Sequence, residues 1–134
     1  MKNTSEVGKE LYENLGKLFY AIAMADSRVH EKEVSKLRTF IRQYWLKVDE
    51  LEDDFGTDAA YQIESVFDWS MDHDLDSEAC YADFREFYED NKGMFSAFIK
   101  VLILDTANAI SNSFSGKNKS ELVMLGKLEL LLKE

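Results

Sequence analysis

Proline is absent from this chain, and apolar residues recur at spacings of three and four almost from end to end. A strand alternates with period two, whereas spacing of three and four marks one face of a helix with 3.6 residues per turn. No ring interrupts such a helix, and six glycines leave few other breaks. The pattern predicts an all-α chain, a single-domain helical bundle of about six to seven helices.

The helices are read from their caps and stripes. The first begins at the box Asn3-Thr4-Ser5-Glu6, where the Asn side chain and Glu6 can satisfy each other's free backbone N–H groups. It carries Val7, Leu11, Leu15, Leu18, Ile22 and Ala25 on one face. A second starts near Glu31 with Val34, Leu37, Phe40, Ile41, Tyr44, Trp45 and Val48 as its buried stripe, closed by the acidic run Asp49 to Asp54. A third, from Thr57 to Met71, aligns Ile63, Val66, Phe67 and Ser70, and a fourth carries Cys80, Tyr81, Phe84, Phe87 and Tyr88. After Gly93 comes a helix in which Phe95, Phe98, Ile99, Val101, Leu102, Ile103 and Leu104 are apolar nearly all round. That is the pattern of a helix buried on several sides, so it is the predicted central element, lying against the helix that contains Leu15 to Ala25. The loop SNSFSGKNKS leads to a last helix opened by Asn118-Lys119-Ser120-Glu121 and carrying Leu122, Leu125, Leu128 and Leu132. Trp45 and Trp69 are read as core or partly core residues because of the area each can bury.

An internal repeat emerges when the two most apolar segments are aligned. LFYAIAMAD (Leu18 to Asp26) matches AFIKVLILD (Ala97 to Asp105), and each aspartate precedes a helix whose first turn holds Glu33 or Glu121. Two helix-loop-helix units that each bury one face would pack about a pseudo-twofold axis, with the middle helices covering them. The first half spans about 1–54 and the second about 55–134.

Composition excludes several function classes. No run approaches the roughly 18 consecutive apolar residues of a membrane span, since even Phe98 to Leu104 is interrupted by Lys100. Direct membrane insertion is therefore not expected. The N-terminal MKNTSEVGKELYENLGK is polar where a secretory signal needs an apolar stretch, and Cys80 is the single cysteine, so a cytoplasmic location is expected. A net charge of −10 repels phosphate backbones and anionic head groups, which excludes nucleic acid and leaves an unknown protein as the expected partner. His30 and His73 are the only imidazoles, no Gly-x-Ser-x-Gly occurs, and Ser115-Gly116-Lys117-Asn118 lacks the upstream glycine and following hydroxyl of a P-loop. No enzyme is predicted.

Carboxylates are the remaining candidates for chemistry. An aspartate at a helix C-terminus faces the negative end of the macrodipole, so Asp26 and Asp105 require compensation. Two readings are open. Each carboxylate can accept N–H bonds from the next loop or helix and fix a helix-loop-helix corner, with Asp26 largely buried and bonded near Ser27 to Val29 or Glu31 to Glu33. Alternatively Asp26 with Glu33, and Asp105 with Glu121, supply oxygen ligands to a divalent cation, the one cofactor these residues could hold. A second acidic candidate is Asp72-His73-Asp74-Leu75-Asp76-Ser77-Glu78, which places carboxylates at positions 1, 3 and 5 of an EF-hand loop spanning 72–83. It departs from that motif at Ser77, Ala79 and Asp83, and the rival reading is a helix cap at Asp76 or Ser77.

The segment AIAMADSRVHEKEVSKLRTFI resembles the tellurite-resistance TerB-like family, in which a helix ends in Ala-Asp-Gly, a short loop holds one apolar residue, and the next helix opens with an acidic turn. Ala25-Asp26-Ser27 matches the first element with Ser for Gly, Val29 is the apolar loop residue, and Glu33 falls at the family's glutamate. Leu104-Asp105-Thr106 with Glu121 resembles a second copy with an enlarged loop, and the two blocks cover about half of the chain. The resemblance implies a bacterial, all-helical bundle of two repeats with a stress-associated cytoplasmic role. It also implies a weak acidic metal site acting with membrane-associated partners.

Overall fold

The computed structural model describes residues 4–25, 29, 31–45, 61–112 and 119–134. Six α-helices account for most of them, and no strand occurs among the described residues. They are α1 (Thr4–Ala23), α2 (Glu31–Phe40), α3 (Tyr61–Asp72), α4 (Ser77–Asp90), α5 (Ala97–Asn112) and α6 (Lys119–Leu132). A π-helical turn, Ile41–Trp45, continues α2, and a 3₁₀ turn, Lys92–Met94, carries Gly93 where the chain was expected to break. The all-α bundle predicted from spacing is the observed fold.

The central helix is α1 and not, as the sequence suggested, the helix of Phe98 to Leu104. Leu11, Tyr12 and Leu15 are buried, and from Leu18 to Ala23 no side chain is exposed. α3, α4, α5 and α6 all pack against α1. Each large apolar side chain sealed in this way contributes about 1.5–3 kcal/mol. α5 lies against α1, but Phe98 and Val101 face solvent. Its continuous apolarity records one face in the core and another left open.

The structure does not keep the register read from the two apolar segments. α5 runs seven residues past Asp105 to Asn112, so Asp105 does not close a helix and Ser111 and Asn112 are not loop residues. Shifting the alignment to a constant offset of 88 residues pairs Leu11 with Ile99, Leu15 with Ile103, Leu18 with Thr106, Phe19 with Ala107, Ile22 with Ile110, Glu33 with Glu121 and Leu37 with Leu125. Every member of these pairs is buried. The helix contacts follow the same symmetry: α1 crosses α5, while α2 packs on α5 as α6 packs on α1.

Polar groups tie the outer helices to this centre. The Trp45 indole is fully buried, edge-on to Tyr12, and its Nε1–H donates to Thr106 Oγ1 at 3.1 Å. Thr106 Oγ1 in turn donates to the Leu102 carbonyl at 2.7 Å, so no polar atom of the pair is stranded. Arg38 of α2 bridges to Glu64 and Asp68 of α3. At the end of α1, where the last carbonyls lack helical partners, Ser77 Oγ donates to Ala21 O at 2.8 Å and Met24 N to Tyr20 O at 2.8 Å.

Candidate functional site

Of the four carboxylates predicted to bind a cation, Asp26 lies outside the described residues, together with Ser27, Arg28 and His30 of its corner. Glu33 and Glu121 occupy matching places, each the third residue of its helix and 2% and 3% exposed. A carboxylate in a first turn is favoured by the helix dipole, which accounts for placing an acid there. Asp105 does not join Glu121 at a helix corner. It sits in mid-helix on the outer side of α5, because helical structure continues to Asn112. Among the described residues no group of three or more His, Cys, Asp or Glu side chains is arranged to hold a metal ion.

The acidic segment 72–83 does not form a chelating loop. α4 starts at Ser77, so the positions that would supply the second half of such a loop are helical. Asp76 is the N-cap and accepts from Ala79 N at 2.9 Å, while Asp83 pairs with Lys17 Nζ of α1 at 3.0 Å. The preceding end of α3 closes with Leu75 N bonded to Ser70 O and Asp74 N to Met71 O, and Asp74 takes the left-handed φ of 53° that this closure requires. Trp69 is exposed and stacks on His73, whose Nδ1 lies 2.9 Å from the Trp69 carbonyl oxygen, so it is not a core residue. Cys80 is buried, and its thiol pKa is raised chiefly by that burial against the opposing pull of Lys17.

Besides a polar hollow between α1 and α4 that holds the Lys17–Asp83 pair, two depressions bear on binding. A cleft of about 720 Å³ lies between the end of α1, the α3–α4 corner and α6, lined by Asp74, Asp76 and Glu78 facing Lys119 and Lys127 above Met24 and Met124. Ala25, Leu75 and Val123 also line it, so its walls mix charged and apolar groups. The second, of about 500 Å³, runs between the end of α2, its π-turn and α5, lined by Phe40, Tyr44, Phe98, Val101, Leu102 and Asp105. Phe98 is 61% and Val101 56% exposed, and the Phe40 and Tyr44 rings lie 5.1 Å apart. Together these side chains leave an apolar, partly aromatic groove open to water and bordered by the π-turn. Asp105 stands in this groove with no ion-pair partner among the described residues.

Sequence reasoning placed Phe40, Tyr44, Phe98 and Val101 in the core. The signal for the groove was nevertheless present, since α5 carries more apolar residues than one buried face needs. Comparison of the chain with protein-family models, curated proteins and solved structures finds no match.

Proposed function

We propose that this protein is a non-enzymatic, TerB-like interaction module of the cytoplasm, linked to a stress response, that holds an amphipathic helix of a partner protein. The open groove of Phe40, Tyr44, Phe98 and Val101 carries this reading. An apolar helix face fits between two helices, and the lone Asp105 carboxylate on a chain of net charge −10 selects a helix bearing Lys or Arg beside its apolar stripe. The matching places of Glu33 and Glu121 are what the TerB-like resemblance leads one to look for.

Fluorescence anisotropy with a labelled amphipathic helical peptide, in Lys-bearing and Glu-bearing versions, tests the groove. The Lys peptide is expected to bind at micromolar concentration and the Glu peptide at least tenfold more weakly, about 1.4 kcal/mol. Phe98→Glu should abolish binding without lowering the melting temperature, and Asp105→Lys should invert the peptide preference. Binding of neither peptide, or binding indifferent to Phe98→Glu, would discard the reading. A weak acidic cation site is the other element of the resemblance, and we read the Asp26 and Glu33 corner as structural, so Ca²⁺ and Mg²⁺ should leave thermal stability unchanged. A gain approaching the roughly 2.7 kcal/mol of a ligand at 100 times its Kd, lost in Asp26→Asn, would assign a metal site instead.

A further inference from the structure

The contact that α4 makes on α1 is a template for the open face of α5. Glu10, Asn14 and Lys17 of α1 line the hollow between these two helices, with Asp83, Phe87 and Asp90 of α4 opposite, and Lys17 Nζ pairs with Asp83 at 3.0 Å. The helices run antiparallel. Ser77 at the start of α4 bonds to Ala21 near the end of α1, and Asp90 at the end of α4 shares the hollow with Glu10. The offset of 88 residues, fixed by the buried core pairs, carries Glu10, Asn14 and Lys17 onto Phe98, Leu102 and Asp105. All three line the α2–α5 groove. The other wall follows the same relation, since Phe40 and Tyr44 stand 88 residues before Leu128 and Leu132. Those two leucines are buried, whereas Tyr44 is exposed and Phe40 half-buried.

One half of the molecule thus holds a helix at the positions that the other half leaves open. We infer that the partner helix lies on α5 as α4 lies on α1, antiparallel, with its basic residue against Asp105 in the place that Asp83 takes against Lys17. This rests on reading the groove as a helix-docking surface, and it adds the direction and register of the bound helix. The reversed charge at the matched position sets the residue: α1 presents Lys17 to an acid of α4, whereas α5 presents Asp105 and so calls for Lys or Arg. Further along α4, Glu86, Phe87 and Asp90 share the hollow with Glu10 and Asn14, whose counterparts on α5 are the apolar Phe98 and Leu102. The partner is therefore apolar three, four and seven positions after its basic residue, which places these side chains on one helix face. Its basic residue stands at the N-terminal end of that stripe. A helix bound in the parallel direction would carry it at the C-terminal end.

Two helical peptides of identical composition distinguish the directions, one with a lysine followed by leucines at those three spacings and the other with the order reversed. In fluorescence anisotropy with the full chain, the first should bind at least about fivefold more tightly. A lysine near a peptide's N-terminus disfavours the free helix, so helicity alone would produce the opposite preference. Asp105→Asn should bring the two peptides to equal affinity. A nitroxide on the N-terminus of the first peptide should broaden the amide signals of α5 around Ala109 to Asn112, and one on its C-terminus those around Ala97 to Ile99. Equal affinities for the unaltered chain, or the opposite pattern of broadening, would overturn the antiparallel register and leave the groove reading in place. Binding of neither peptide would discard the groove reading and the register with it.

Discussion

Two glycines show how differently one residue type can be used. At Gly16 a Cβ would lie 2.7 Å from the Ile63 carbonyl oxygen and 2.8 Å from Val66 Cβ, so α1 and α3 touch backbone to backbone there. Gly16→Ala should therefore cost about 1–3 kcal/mol in urea unfolding, overriding the helix-propensity gain of about 1 kcal/mol. Gly126→Ala should show that gain uncancelled, a stabilisation of about 0.5–1 kcal/mol, because a Cβ there meets nothing within 4 Å, and a loss would mean that the glycine serves the fold. Tyr20 is fully buried and its hydroxyl donates to Leu75 O at 2.7 Å. Its pKa is raised, first by burial and then by the nearby Cys80, Asp74 and Asp76. A raised pKa means that the fold favours the protonated phenol, so this stabilisation is complete below about pH 10 and is lost as pH rises from there through the folded value. Tyr20→Phe should cost about 1 kcal/mol at neutral pH and lose stability less steeply above about pH 10 in alkaline melts.

Among the elements, α1 and α5 looked alike in sequence and differ in what surrounds them. Leu18 has no exposed surface, so Leu18→Ala should cost about 2–5 kcal/mol, whereas Val101→Ala on the open face of α5 should stay within about 0.5 kcal/mol. Comparable losses at both positions would contradict the assignment of α1 as the centre. Helix starts were legible where a side chain caps its own neighbour, as Asp76 does for α4, because such bonds span three residues. The end of α5 was not legible. The apolar pattern falters at Asp105, yet Thr106, Ala107, Ile110 and Ser111 are small or apolar residues that fit against α1, and so the helix continues. Nor could the π-turn be read, since Trp45 is held by Thr106, 61 positions away.

At the scale of the molecule, one helix contacts nearly all the others. Amides of α1 from Leu15 to Ile22 should exchange with solvent only on global unfolding, while those at the outer end of α4 exchange sooner, a difference hydrogen-exchange mass spectrometry resolves. Equal protection in the two segments would argue against α1 as the centre. The sequence by itself determined the helical class, the stripes of α1 and α4, and a helix cap at Asp76 or Ser77. Each of these rests on spacing or on bonds within one turn, which short-range sterics dictate. Only the tertiary structure decided that the repeat has an offset of 88 residues, that Asp105 faces solvent, and that Phe98, Val101, Trp69 and Leu122 stay outside the core. Periodicity records which residues would gain from burial. Which of them are buried depends on how many neighbours the rest of the chain can bring against each face, and α5 and α6 have fewer than their apolar surface could use.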